Sequence, residues 1–192
     1  MKLLEERIRR DGVVLPGDVL KIDSFLNQQM DVELFALMAK EFARLFEGSG
    51  VNKVLTVEAS GIGIACITAL ELGCKAIYAK KHPSHNRSKD AYSAPVHSYT
   101  HGTDYNMTVS KEFLSPGDNI LLVDDFLATG SALVALAGIV REAGANVVGA
   151  GIVVEKAYQG GHEKMNELGI RVESLARVKS MNAETGAIEF CE

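Results

Sequence analysis

The chain has 192 residues, 47% of them apolar and 23% charged, with a formal net charge of -5. That length and composition describe one globular domain with a sizeable core and exclude disorder. The mild acidity excludes a general affinity for nucleic acid, although a local cationic pocket for a small anion is compatible with it. No apolar run reaches membrane-spanning length, and the opening MKLLEERIRRDG is charged in its first turns, unlike a secretory signal. Cys66, Cys74 and Cys191 are odd in number and lack metal-like spacing, which argues against a disulfide framework or a thiolate metal site. Two of them lie in apolar context and read as buried free thiols in a reducing, cytoplasmic compartment.

In chain order, Leu3, Leu4 and Ile8 share one face of a short first helix that closes at Gly12. A connecting stretch from Val13 leads to Asp31, a candidate N-cap for a second helix reaching about Phe46. Val54 to Val57 reads as a buried strand, Gly61 and Gly63 as a tight turn, Ile64 to Leu72 as a helix and Lys75 to Ala79 as a second strand. Such a strand–turn–helix–strand unit implies parallel pairing. His82 to Thr108 is a polar excursion, expected to be a lid or binding loop around a loose hairpin. Its histidines, His82, His85, His97 and His101, match no standard metal spacing. Alternation then resumes: strand Asn119–Val123, helix Ser131–Glu142, strand Val147–Val154, a short helix after Gly160-Gly161, strand Ile170–Leu175, and an edge hairpin within Asn182–Cys191. The expected fold is α/β, with a central, mostly parallel sheet flanked by helices, in a single domain over residues 1–192. Near-continuous apolar strands imply a sheet covered on both faces.

The informative string is ILLVDDFLATGSAL, residues 120–133. An apolar strand reaches Asp124 and Asp125, and a loop over Phe126 to Gly130 leads into a helix. Ligands of open α/β sheets sit beyond the C-terminal ends of such strands. Ala128, Thr129, Gly130, Ser131 and Ala132 offer small side chains, two hydroxyls and the free N–H groups of a helix start, a set able to cradle a monophosphate without a lysine. The aspartates would repel that phosphate. They are suited to accept hydrogen bonds from sugar hydroxyls or to lie near a magnesium-bound diphosphate. GxxxxGK[ST] is absent, and SGIG at 60–63 falls short of GxGxxG.

LLVDDFLATG resembles the signature of the type I phosphoribosyltransferases, and the resemblance runs over most of the chain. LKIDSFLNQQMD, VEASGI, YAKKH and GIVVEK follow in the order found in bacterial members that use xanthine. The resemblance implies the family's fold, with an N-terminal hood near residues 1–35 and a lid near 82–108. It implies transfer of a 5-phosphoribosyl group from 5-phospho-alpha-D-ribose 1-diphosphate to xanthine, with guanine or hypoxanthine as the alternative acceptors. A regulator that senses the same sugar is a further alternative, though this acidic chain has only a short N-terminal extension for contacting DNA.

Carried over residue by residue, the resemblance puts the pyrophosphate at Glu58, Ala59, Ser60 and Gly61, around a strained or cis peptide, and at Lys80 or Lys81. The sugar hydroxyls fall to Asp124 and Asp125, and the 5′-phosphate to residues 128–132. The base falls to Leu20, Asn27, Phe126 and Lys156. A lysine offers donors only, so Lys156 suits a 6-oxo group and not an adenine amino group. Lys89, Ser93, Tyr99 and Lys111 are candidate closure contacts. Magnesium would be held mainly by the diphosphate, with no dedicated protein cage, and relatives imply a homodimer. Hypoxanthine–guanine relatives commonly carry an acidic residue where Ala128 stands, so the general base is unassigned.

Overall fold

The computed structural model describes residues 1–83, 90–98 and 103–191. Helix α1 (Lys2–Asp11) buries Leu4 and Ile8. The stretch read as a plain connection holds a two-stranded antiparallel ribbon, β1 (Val13–Leu15) and β2 (Val19–Lys21), then a π-helical turn over Asp23–Asn27. The Pro16-Gly17 turn between two short alternating runs is the signal that marks the ribbon. Asp31 caps α2 (Val32–Leu45) as expected, its carboxylate accepting from the Leu34 N–H at 3.1 Å.

β3 (Lys53–Val57), α3 (Gly61–Glu71) and β4 (Lys75–Pro83) form the anticipated parallel unit. The turn, however, is at residues 58–60, and Gly61 and Gly63, read as that turn, already belong to α3 because Gly61 packs its backbone against Thr56. β5 (Ala91–Ser98) and β6 (Thr103–Ser110) follow, then β7 (Asn119–Leu127), α4 (Ser131–Glu142), β8 (Asn146–Lys156), α5 (Gly161–Glu167), β9 (Val172–Met181) and β10 (Ile188–Phe190). The eight-stranded sheet runs β10-β9-β8-β7-β3-β4-β6-β5. Its five central strands are parallel, and β10, β6 and β5 pair antiparallel at the edges. Strand alternation divides the core. Leu121 and Val123 pack with α1, α2 and α3 on one face, while Ile120 and Leu122 pack with α4 on the other. From β3 the chain crosses to β4 on one side, and from β7 to β8 on the other. The switch point therefore lies between β3 and β7, where a ligand crevice is expected.

Further expectations need correction. The hairpin is not loose: it pairs regularly from Ala91 with Ser110 to Ser98 with Thr103, and Val96, Met107 and Val109 are buried. β7 does not stop before the aspartates. It runs on to Leu127 because β8 is long enough to pair with it there, Leu127 opposite Glu155. The last parallel strand runs Val172–Met181 rather than 170–175, since β8 pairs with it through Val178 and β10 supplies a partner beyond. The cysteines are not buried: Cys66 is exposed and Cys74 and Cys191 are intermediate. On α3 the buried positions are Gly61, Ile64, Ala65, Thr68 and Ala69, which leaves Cys66 and Leu70 on the outer side. Lys89, Tyr99, His85 and His101 lie outside the described residues.

Candidate functional site

At the switch point two strand-to-helix turns meet. The first follows β3, where the Glu58–Ala59 peptide is cis. The Glu58 N–H donates to the Ala79 carbonyl, and its carboxylate accepts from the Lys81 N–H. Glu58 thus ties this turn to β4, and its charge is engaged with protein. A β-carbon on Gly61 would stand 2.0 Å from Thr56 Oγ1 and 3.2 Å from Asp124 Oδ1. Only glycine lets α3 start this close to the aspartate.

The second turn, Ala128–Gly130, follows β7. Gly130 has φ +79°, the left-handed region that favours glycine, and precedes the first residue of α4. Thr129 and Ser131 hydroxyls pair at 3.1 Å. Asp124 and Asp125 are 5% and 8% exposed. The Asp125 N–H donates to Asp124 Oδ1 at 3.0 Å. Burial first, then the charge of Asp125, pushes the Asp124 carboxyl well above the usual carboxylate range. Lys81 opposes that shift from β4, and its ammonium lies 5.7 Å from the Tyr105 ring centre. Lys80, one residue earlier, lines a separate cavity with Tyr78, Thr108 and Phe113. Strand alternation therefore separates the two lysines, and Lys81 is the one on the side of Asp124.

Beside the second turn lies a cavity of about 730 Å³, which Asp124 lines but Asp125, Glu58 to Gly61, Lys80 and Lys81 do not. Asp124, Phe126 and the whole run from Leu127 to Leu133 line one part. Pro16 to Val19 of the β1–β2 turn, Lys156 and Gln159 line another, and Val96 and Tyr105 come from the hairpin. Lys156 is no solvated strand end. Its ammonium donates to the Asp18 carbonyl at 2.5 Å and lies 5.7 Å from the Phe126 ring centre. Burial lowers its pKa, and the Asp18 charge partly offsets this.

The structure brings together Asp124, Phe126, residues 128–132 and Lys156. Leu20 instead packs in the core opposite Val14, and its neighbours Asp18 and Val19 face the cavity. Asn27 ends the π-helical turn with its Oδ1 buried and without a partner. Ser93 is on β5 with an unpartnered buried hydroxyl, and Lys111 lies over Tyr92; neither lines the cavity. Sequence reasoning missed Asp18, Val19, Tyr105 and Gln159. Only the Pro-Gly turn and the alternation around Tyr105 carried a signal for any of them. Among the described residues no three His, Cys, Asp or Glu side chains cluster as a metal site, and no helix is long and apolar enough to cross a membrane.

The fold and crevice define an α/β protein with a small-residue loop and a buried acidic pair at the switch point of its sheet. The chain belongs to the phosphoribosyltransferase family, whose phosphoribosyl transferase domain matches residues 25–181. It is 52% identical over 190 residues to a xanthine phosphoribosyltransferase of Lachnoclostridium phytofermentans, covering 99% of this chain and 98% of that one. It is 51% identical over 191 residues to one from Bifidobacterium adolescentis, covering 99% of each. Among solved structures, adenine phosphoribosyltransferase from Rhodothermus marinus superposes with TM-score 0.76 at 19% identity, over 92% of this chain and 99% of that one. The Giardia lamblia adenine enzyme with 9-deazaadenine gives 0.73 at 22%, over 86% and 92%. At these identities the structural likeness concerns the fold alone.

Proposed function

We propose that the protein transfers the 5-phosphoribosyl group from 5-phospho-alpha-D-ribose 1-diphosphate to xanthine, releasing diphosphate and xanthosine 5′-monophosphate. The observation that carries this reading is the near full-length identity of about half to several xanthine phosphoribosyltransferases. The cavity supports it, with Lys156 and Phe126 sharing a space with the small-residue loop.

In this reading the N–H groups and hydroxyls of Ala128 to Ala132 hold the 5′-phosphate at the α4 start. Asp124 and Asp125 accept from the sugar hydroxyls. The Ala59–Gly61 turn and Lys81 take the diphosphate, with Glu58 holding the turn in place. The C1–O bond to diphosphate breaks, the sugar gains oxocarbenium-like charge, and purine N9 forms the new bond at C1 as its proton leaves. The protein's contribution is alignment of the two reactants and stabilisation of the leaving group's charge. The buried carboxyl groups of Asp124 and Asp125 offer oxygen ligands of the kind a hard cation would take together with diphosphate oxygens and water. Magnesium bound with the diphosphate would supply further neutralisation of the leaving group.

On the base side, Lys156 would leave the Asp18 carbonyl for the 6-oxo group, Phe126 would pack on the ring, and Asn27 has an unpaired oxygen to offer. Ala128 supplies no proton acceptor, which suits xanthine, an acidic purine that is partly anionic before it reacts. A homodimer is part of the same reading, supported by the exposed Tyr78 and Phe113 beside the second cavity. Incubation with xanthine, the sugar diphosphate and magnesium should give xanthosine 5′-monophosphate and diphosphate in equal amounts. Diphosphate release without nucleotide would refute the transfer.

A further inference from the structure

The loop at 128–130 contains no cation of its own, yet one lies directly behind it. Lys164 on α5 donates to the Thr129 carbonyl at 2.8 Å. In a trans peptide the carbonyl and the following N–H point in opposite directions. Anchoring the Thr129 carbonyl to α5 therefore turns the Gly130 N–H away from Lys164.

The contact between loop and helix is made without intervening side chains. A β-carbon on Gly161 would stand 2.3 Å from the Ala128 carbonyl oxygen, and one on Gly130 would stand 3.3 Å from Gly161 Cα. Met165 of the same helix is fully buried, with its Cε 3.5 Å from that Gly130 position. The helix is itself pinned. His162 Nδ1 lies 3.2 Å from Glu155 Oε2, and Glu155 is fully buried. Glu155 also accepts from Ser174 Oγ at 2.5 Å and Arg177 Nε at 3.1 Å, both on β9. Its backbone pairs with Leu127, the residue that enters the loop. A carboxylate buried this deeply needs partners to be tolerated at all, and here those partners fix α5 to the strand beside the loop.

We propose that α5 is a brace for the phosphate loop, with Lys164 as its positioning residue and the Glu155–His162 pair as its anchor. Lys164 orients the Thr129–Gly130 peptide and adds positive charge behind a site that takes a sugar monophosphate. This rests on the reading that residues 128–132 hold the 5′-phosphate.

The test uses the full-length protein and ribose 5-phosphate as the probe, with binding measured by calorimetry and steady-state kinetics run in parallel. Lys164→Met, which keeps the stem and removes the donor, should weaken ribose 5-phosphate binding and raise KM for the sugar diphosphate roughly tenfold, as expected for a lost charge-assisted bond. KM for xanthine and kcat should stay within about twofold, because the base side and the reacting atoms are untouched. Lys164→Arg should restore most of the binding. His162→Ala should move the same constants in the same direction, and His162→Gln less so. Unchanged ribose 5-phosphate binding in Lys164→Met, or an equal rise in both KM values, overturns the brace. Ser131→Ala separates the two readings. If it weakens the probe while Lys164→Met does not, the loop reading stands and the brace fails. If neither the parent nor any variant binds the probe, both fall.

Discussion

The two halves of the cavity are built in opposite ways. The phosphate side is a three-residue turn between β7 and α4, made of small residues, flanked by the buried Asp124 and backed by α5. The base side is the exposed turn of a two-stranded ribbon, held by Val14 and Leu20 in the core and by the Lys156–Asp18 bond across 138 residues of sequence. One half presents backbone groups and two hydroxyls. The other presents side chains, which under the proposed function would change partner when a base binds. An anion with three equivalent oxygens needs only convergent donors, whereas a purine must be told from its relatives by its edge groups. The difference explains how low-identity adenine enzymes share the fold while the close relatives use xanthine.

With the two halves lined by different elements, substitutions should hit one reactant at a time. The largest effect is expected for Asp125→Ala. Losing a buried acceptor for the sugar should lower kcat/KM for the sugar diphosphate by about a hundredfold, in line with roughly 3 kcal/mol for truncating a buried charge-assisted contact. Unaltered donor kinetics would remove Asp125 from the site. Next comes Lys156→Ala, which should reduce kcat/KM for xanthine by about tenfold and flatten the ranking of purines, with donor KM nearly constant. A ranking that stays the same would take Lys156 out of the base pocket.

The smallest effect concerns stability and isolates the cost of the acidic pair. Burial, followed by the charge of Asp125, raises the Asp124 carboxyl well above 3.8. Between 3.8 and that raised value the folded protein holds a proton that the unfolded chain has released. Stability therefore falls as pH rises through this window. Asp124→Asn keeps the neutral form at every pH. It should raise the neutral-pH unfolding midpoint, by about 2–4 °C for each kcal/mol relieved at this chain length, and blunt the pH dependence there. A midpoint that drops would mean that the carboxylate is stabilised by partners.

The phosphate half was legible because it is local: strand, acidic pair, small residues and helix start are contiguous in ILLVDDFLATGSAL. Even there the strand end was misjudged, since polar aspartates look like a terminus until β8 supplies their ladder partners. The parallel unit β3–α3–β4 was legible from its apolar runs and glycines, and the Asp31 cap from its position. Asp18 and Tyr105 were not, because they reach the cavity through a ribbon and a hairpin whose positions are set by tertiary packing. The same holds for Glu155. A lone glutamate before a lysine carries no pattern, and only the fold brings His162, Ser174 and Arg177 around it. Cys66 failed for a related reason: an apolar neighbourhood in sequence does not reveal which side of a helix faces out.

The most direct test of the central claim is the initial rate of diphosphate release with the sugar diphosphate and magnesium, using xanthine, guanine, hypoxanthine and adenine in separate reactions. A kcat/KM clearly highest for xanthine and lowest for adenine is predicted. Adenine or guanine outrunning xanthine, or no turnover with any of the four, would contradict it.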